Sequence, residues 1–410
     1  MESLKRYPLP IVIGLFLIFS LFGGSAHAAE TIKIGVVAPL TGSFADEGNE
    51  MVRGVEMAVE ELNAKGGVLG KNLELIKGDV GDFSAEKIVS VAEKILNKDK
   101  VDCVITQYLG GVADIKAFGG TEVPYLHMDT SQAAADLVKA NIDKYWNIFQ
   151  TCPTEQIGYP PGIVDFIVRV FPKAMGKYPN NKLALVTMVR AYNDRISGVF
   201  RELIKKHNWE LVVDEKTPTG TVEWGSVLTK IRQEKPAVIY FNDHVPADEV
   251  SFLDQFHNNP TKSMVFIQYG PSNPAFISLG KEKTNGIFWG TAFATVGPKG
   301  DAWRDRYRKK YKEEPGVGTA AGTFTSTMIW AEAVKKVGNA KDYKEVCRVI
   351  REYPYNITGV THVFDPSNQT GIYGEGLSPF LVYQVQSLKH QLVSPLLFAT
   401  AKMQLPPWMK

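Results

Sequence analysis

Cysteine is scarce in this chain of 410 residues, with only Cys103, Cys152 and Cys347 present. So small and odd a number excludes a disulfide-stapled framework and leaves at least one thiol unpaired. Cys103 ends a short apolar run, and Cys347 falls on the apolar face of DYKEVCRVIREY, so both read as small buried hydrophobes. No neighbouring base is present to activate any of them. An excess of charge of one sign is also lacking, since 46 Lys and Arg stand against 44 Asp and Glu, a net of +2. A polyanionic partner asks for a clustered basic face. The dense run Arg304 to Lys312 is instead interleaved with Asp305, Tyr307 and Tyr311 and reads as a solvated helix face. Nucleic acid is therefore not an expected partner.

The sequence motifs of catalysis are absent as well. No GxGxxG follows a strand, and no GxxxxGKS/T, GxSxG or HExxH occurs. The glycines of KGGVLG at 65–70 follow a helical pattern, so they end a helix and do not cradle a phosphate. Asp79 and Asp82 flank Gly81 in what reads as a solvated strand-to-helix loop. No enzyme, cofactor or metal site is expected. Beyond residue 28 no run reaches the 18 apolar residues of a membrane span. The run Ile11 to Phe22 is too short to span, and it lies between Lys5-Arg6 and Ala26-His27-Ala28. Those three parts make a secretory signal cleaved near Ala28, with no Cys after it for lipid attachment. The expected location is the periplasm.

What is present is a switch of apolar period. Ile32, Ile34, Val36 and Val37 form a β-branched run that Pro39, Thr41 and Gly42 interrupt. Val52, Val55, Ala58, Val59 and Leu62 follow at helical spacing, Gly66-Gly67 stops them, and Leu73 to Ile76 starts a second strand. The same alternation predicts strands at 101–105 and 125–128, then restarts with strands at 183–189, 211–213, 237–241 and 264–267. Helices are expected between them. Two βαβ series imply an α/β fold of two lobes, each a doubly wound parallel sheet covered by helices. YWNIFQTC at 145–152 reads as a crossover between the lobes, and further crossovers are expected near 286–291 and 359–364. No catalytic constellation accompanies this scaffold, so ligand capture on the loops at the carboxyl ends of the strands is the expected activity.

The opening segment resembles the branched-chain amino-acid binding proteins, the solute receptors of ABC importers. The likeness lies in IGVVAPLTG at 34–42, Gly48, Gly54 and AVEELNAKGGVLG at 58–70. It implies the type I periplasmic binding fold, with three crossover strands and hinge closure on a ligand. It also implies a first lobe of residues 29–150 with about 291–360, and a second of 151–290 with about 361–410. An inner-membrane ABC permease is the implied partner and a monomer the implied state. Carried over loop by loop, Thr130 and Ser131 match the hydroxyl loop for a ligand carboxylate. Tyr192 matches an aromatic position, and His244 falls where Tyr is usual.

Two positions depart from that pattern. Tyr108, Leu109 and Gly110 occupy the loop that usually carries a Ser pair, leaving backbone N–H groups as donors. Ser272 stands where the acidic partner of a ligand ammonium is usual, and a hydroxyl cannot neutralise a buried ammonium. Glu47, where Tyr is usual, and Asp243 are the acids expected to substitute. A branched-chain amino acid is the leading ligand. Aromatic or other small carboxylates, amides or urea-like solutes, and a sensor role toward a membrane regulator are the alternatives.

Overall fold

The β-branched run becomes strand β1 (Ile32–Ala38), paired in parallel on both sides with β2 (Leu73–Asp79) and β3 (Cys103–Ile105). β4 (Tyr125–His127) and β5 (Ile148–Gln150) extend a five-stranded sheet of order β2-β1-β3-β4-β5. This is a computed structural model that describes residues 31–410 apart from 43, 294 and 375. The expected export signal at 1–28 lies outside the described residues.

The second series forms β6 (Lys182–Met188), β7 (Glu210–Thr217), β8 (Val238–Asn242), β9 (Met264–Ile267) and β10 (Phe288–Thr291). After the short hairpin β11 (Tyr355–Asn356) and β12 (Thr361–His362), the chain returns as β13 (Leu381–Gln386) and β14 (Lys389–Ser394). The order is β14-β13-β10-β9-β8-β6-β7. Strands β6 to β10 are parallel, and β13 and β14 are antiparallel, so this sheet is mixed. The hairpin turn is Ser387-Leu388, both at positive φ of 51° and 61°. Asn-Gly is the usual signal for such a turn, which is why the sequence did not announce it.

The expected crossovers are placed differently. Ile148–Gln150 is an edge strand of the first sheet, and β10 lies inside the second between β9 and β13. Only β12 stands apart from both large sheets. The chain passes from one sheet's core to the other just beyond these segments. After β5, Tyr159 and Ile163 already pack with β6 and β8. After β10, Trp303 packs with Met57 on the first side. After the helix Tyr343–Glu352, Phe364 still packs beside Phe149, and Phe380 lies with Phe288. The last residues are anchored too, since Trp408 donates its indole N–H to the Ser263 carbonyl at 2.8 Å. Its ring meets Phe256 edge-on at 5.6 Å.

Two helices cross closely over the first sheet, Ala45–Ala64 and Thr319–Val337. Gly54 sets the distance, because a Cβ there would stand 2.1 Å from the Ala320 carbonyl oxygen. Gly54→Val is predicted to destabilise the protein by about 1–3 kcal/mol through overpacking. Urea unfolding checks this, and an unchanged midpoint would contradict the close crossing.

Candidate functional site

The carboxyl ends of both sheets face a common region. On the first side, the loop after β1 runs into the helix Ala45–Ala64, whose first turn carries Glu47. The loop after β3 carries Tyr108, whose hydroxyl donates to Glu47 Oε2. Burial raises the Glu47 carboxyl above its ordinary range, against the lowering effect of that bond. Tyr108 stacks on Phe83 at 5.8 Å. Leu109 is buried and packs with Val37 and Val80 in the core, so only its backbone remains for a site. Gly110 is exposed at φ 76°, a left-handed conformation that favours glycine there.

After β4 come Asp129, Thr130 and Ser131. Ser131 caps the helix Gln132–Ala140, its Oγ accepting the Ala134 N–H at 3.2 Å. Burial first, then Asp114 and Glu155, push the Asp129 carboxyl up to about 8 against the lowering effect of the Ser131 N–H. Glu50, one turn beyond Glu47, accepts the Gly316 N–H at 2.6 Å just before the helix Thr319–Val337, and burial raises it to about 7.

On the second side, Tyr192 opens the helix Ala191–Lys206 after β6, and burial raises its phenol above the ordinary range against the lowering effect of Thr130. His244, after β8, meets the Tyr192 ring edge-on at 6.0 Å. Burial, then Arg190, lower its imidazole to about 4, so it is neutral near pH 7. Asp243 uses Oδ1 to accept the His244 and Val245 N–H groups at 2.6 and 2.8 Å. Ser272, after β9, donates its backbone N–H to the Tyr269 carbonyl at 2.9 Å. Rings continue from Tyr159 to Tyr269 at 6.3 Å and from Tyr269 to Phe293 at 5.8 Å.

The structure therefore brings Glu47, Tyr108, Thr130, Tyr192 and His244 to one region, with Ser272 linked to it through Tyr269. Sequence reasoning missed Asp129, Tyr159, Tyr269 and Glu249. Asp129 and Tyr269 stood in loops already marked by position. Glu249 had no such signal, since it sits in the first turn of the helix Pro246–Phe256 and reads there as a helix-start acid. It is fully buried, with its carboxyl against Gly270, where a Cβ would stand 2.1 Å from either oxygen. The acid beside the Ser272 loop thus comes from a neighbouring helix, not from the loop. Among the described residues no group of three His, Cys, Asp or Glu could hold a metal ion.

The family model for the periplasmic binding protein matches residues 31–389. The Leu/Ile/Val-binding protein BraC3 of Rhizobium johnstonii is 28% identical over 351 residues, covering 83% of this chain and 89% of that one. A solved ABC transporter structure from Silicibacter pomeroyi superposes with a TM-score of 0.88 at 26% identity, over 93% of this chain and 100% of the other. The Streptococcus pneumoniae substrate binding protein LivJ, in complex with isoleucine, gives 0.73 at 22% identity over 89% and 100%. The R. palustris solute binding protein in complex with benzoate gives 0.69 at 18% identity over 93% and 99%. The last two share the fold.

The raised Asp129 carboxyl has a thermodynamic sign. Its folded value of about 8 exceeds the ordinary 3.8, so the folded state binds the extra proton. Stability then falls as pH rises from about 4 to about 8 and levels off above. Asp129→Asn removes this loss, so its melting temperature should exceed the wild type's by more at pH 8 than at pH 5. Calorimetry at both values checks it, and a gain that shrinks with pH would contradict the assignment.

Proposed function

Because the chain belongs to the periplasmic binding protein family, we propose that it is the solute receptor of an ABC importer, closing on one small solute and handing it to a membrane permease. The family consists of solute-binding proteins, not enzymes. In this reading the signal at 1–28 is removed near Ala28 and the mature protein works in the periplasm as a monomer. Residues 29–150 with about 291–360 form one lobe, and 151–290 with about 361–410 the other. The observation that carries the reading is Glu155, which donates its N–H to the Thr130 carbonyl after β4 at 2.6 Å and holds Arg195 on the helix after β6. It joins the strand-end loops of both sheets around one region, where open α/β sheets bind ligands.

The solute is a small molecule with an ammonium group and an apolar body, and branched-chain amino acids lead because the relatives carry that name. Glu47 serves the ammonium. The rings of Tyr108, Tyr192 and Tyr269 wall the apolar part. The Ser131 hydroxyl and the Gly110 N–H are the donors on the first side, and His244 orients Tyr192. Ligand binding draws on an existing open–closed equilibrium and needs only a higher affinity for the closed form.

Leu, Ile and Val at millimolar concentration should each raise the melting temperature. A ligand at about a hundred times its Kd adds roughly 2.7 kcal/mol of stability. A shift with benzoate alone would move the assignment to aromatic carboxylates, and no shift with Leu, Ile or Val would remove the branched-chain assignment.

A further inference from the structure

Three neighbouring loops of the first sheet each bring one aromatic ring to the carboxyl ends of their strands. Strands β2, β1 and β3 lie side by side, and Phe83, Phe44 and Tyr108 follow them in that order. Phe44 meets Phe83 edge-on at 5.1 Å, and Phe83 stacks on Tyr108 at 5.8 Å. Phe44, the end ring of this row, is 40% exposed, while Phe83 and Tyr108 are half-buried.

Local chemistry does not account for the two phenylalanines. Phe44 occupies the N-cap of the helix Ala45–Ala64 and makes no side-chain cap bond. Ser, Thr, Asp or Asn there would satisfy a helix N–H. Phe83 sits at φ 64°, a left-handed conformation that favours glycine and strains a bulky residue. Departures of this kind collect at functional sites. The loops that hold the rings are nonetheless fixed. Asp79 Oδ1 accepts the Leu40 N–H at 2.8 Å and the Gly81 N–H at 2.9 Å, and its Oδ2 accepts the Thr41 hydroxyl at 2.8 Å. That one carboxylate joins the loops of Phe44 and Phe83. Glu47 joins the third loop by accepting the Tyr108 hydroxyl. The row of rings is thus set before a solute arrives, which lowers the ordering cost of binding.

Rings so placed favour another aromatic ring, offset or edge-on, over an aliphatic body of equal bulk. We propose that Phe44, Phe83 and Tyr108 form a shelf that seats an aromatic ring of the solute, so that the cleft prefers an aromatic amino acid to a branched-chain one. Phe44 and Phe83 set this specificity, and Tyr108 joins the shelf to Glu47. The inference rests on the reading of the cleft as the solute site.

Ligands that differ only in the ring test it in the full mature protein. L-phenylalanine and L-cyclohexylalanine share a head group and a skeleton, and only the first is aromatic. Calorimetric titration should give phenylalanine about three- to tenfold tighter binding than cyclohexylalanine, the range of one aromatic pair, and tighter binding than leucine. Phe44→Ser should bring the phenylalanine-to-cyclohexylalanine ratio close to one. Its solute-free melting temperature should stay at or above that of the wild type, because serine caps the helix. Phe83→Leu should lower the same ratio, with its melting temperature showing that it folds. Cyclohexylalanine or leucine binding as tightly as phenylalanine overturns the shelf and leaves the receptor reading standing. A ratio unchanged in either folded variant also overturns it. If leucine and both ring ligands all fail to bind, the reading of the cleft as an amino-acid site falls together with the shelf.

Discussion

One buried carboxylate ties the two sheets together. Glu155 begins the helix that follows β5, and its side chain is fully buried. Oε2 accepts the Gln132 N–H at 2.6 Å, at the start of the helix after β4. Oε1 takes the Arg195 guanidinium, on the helix after β6. Its own N–H reaches the Thr130 carbonyl at 2.6 Å. A buried acid is tolerated when paired and hydrogen-bonded, and removing one partner of such a pair is strongly destabilising. The loops that carry Thr130 and Tyr192 are therefore fixed by the same group that links their sheets.

That tie organises the chemistry beside it. Asp129 lies in the field of Glu155 and Asp114, which adds to the effect of burial in keeping its proton. Arg195, the cation best placed to offset Asp129, is turned to Glu155. At the cleft edge the Glu47 carboxyl accepts the Tyr108 hydroxyl. Compared with the arrangement that the family resemblance implied, Ser131 has taken a structural task, its Oγ accepting the Ala134 N–H at a helix start.

Much of the scaffold was legible in the sequence because it depends on local period. The run at 32–37, the helical spacing from Val52 to Leu62 and the second series of strands all appear where the pattern placed them, within a few residues. Position after a strand marked the loops, and the family resemblance singled out Glu47, Thr130 and Tyr192 within them. Side-chain direction was not legible. Leu109 turns into the core although its neighbours face the cleft, and Ser131 spends its acceptor on a helix start. Glu155, Tyr159 and Glu249 matter through contacts with residues distant in sequence, and no local pattern records such contacts. The β13–β14 hairpin escaped notice because its turn uses Ser and Leu where glycine is usual.

The claim on which the rest depends is that Glu155 holds the two sheets together around one site. Small-angle X-ray scattering of the solute-free wild type and of Glu155→Ala tests it most directly. The account predicts a larger radius of gyration for the folded variant, as the sheets swing apart. An identical radius for the two proteins would contradict it.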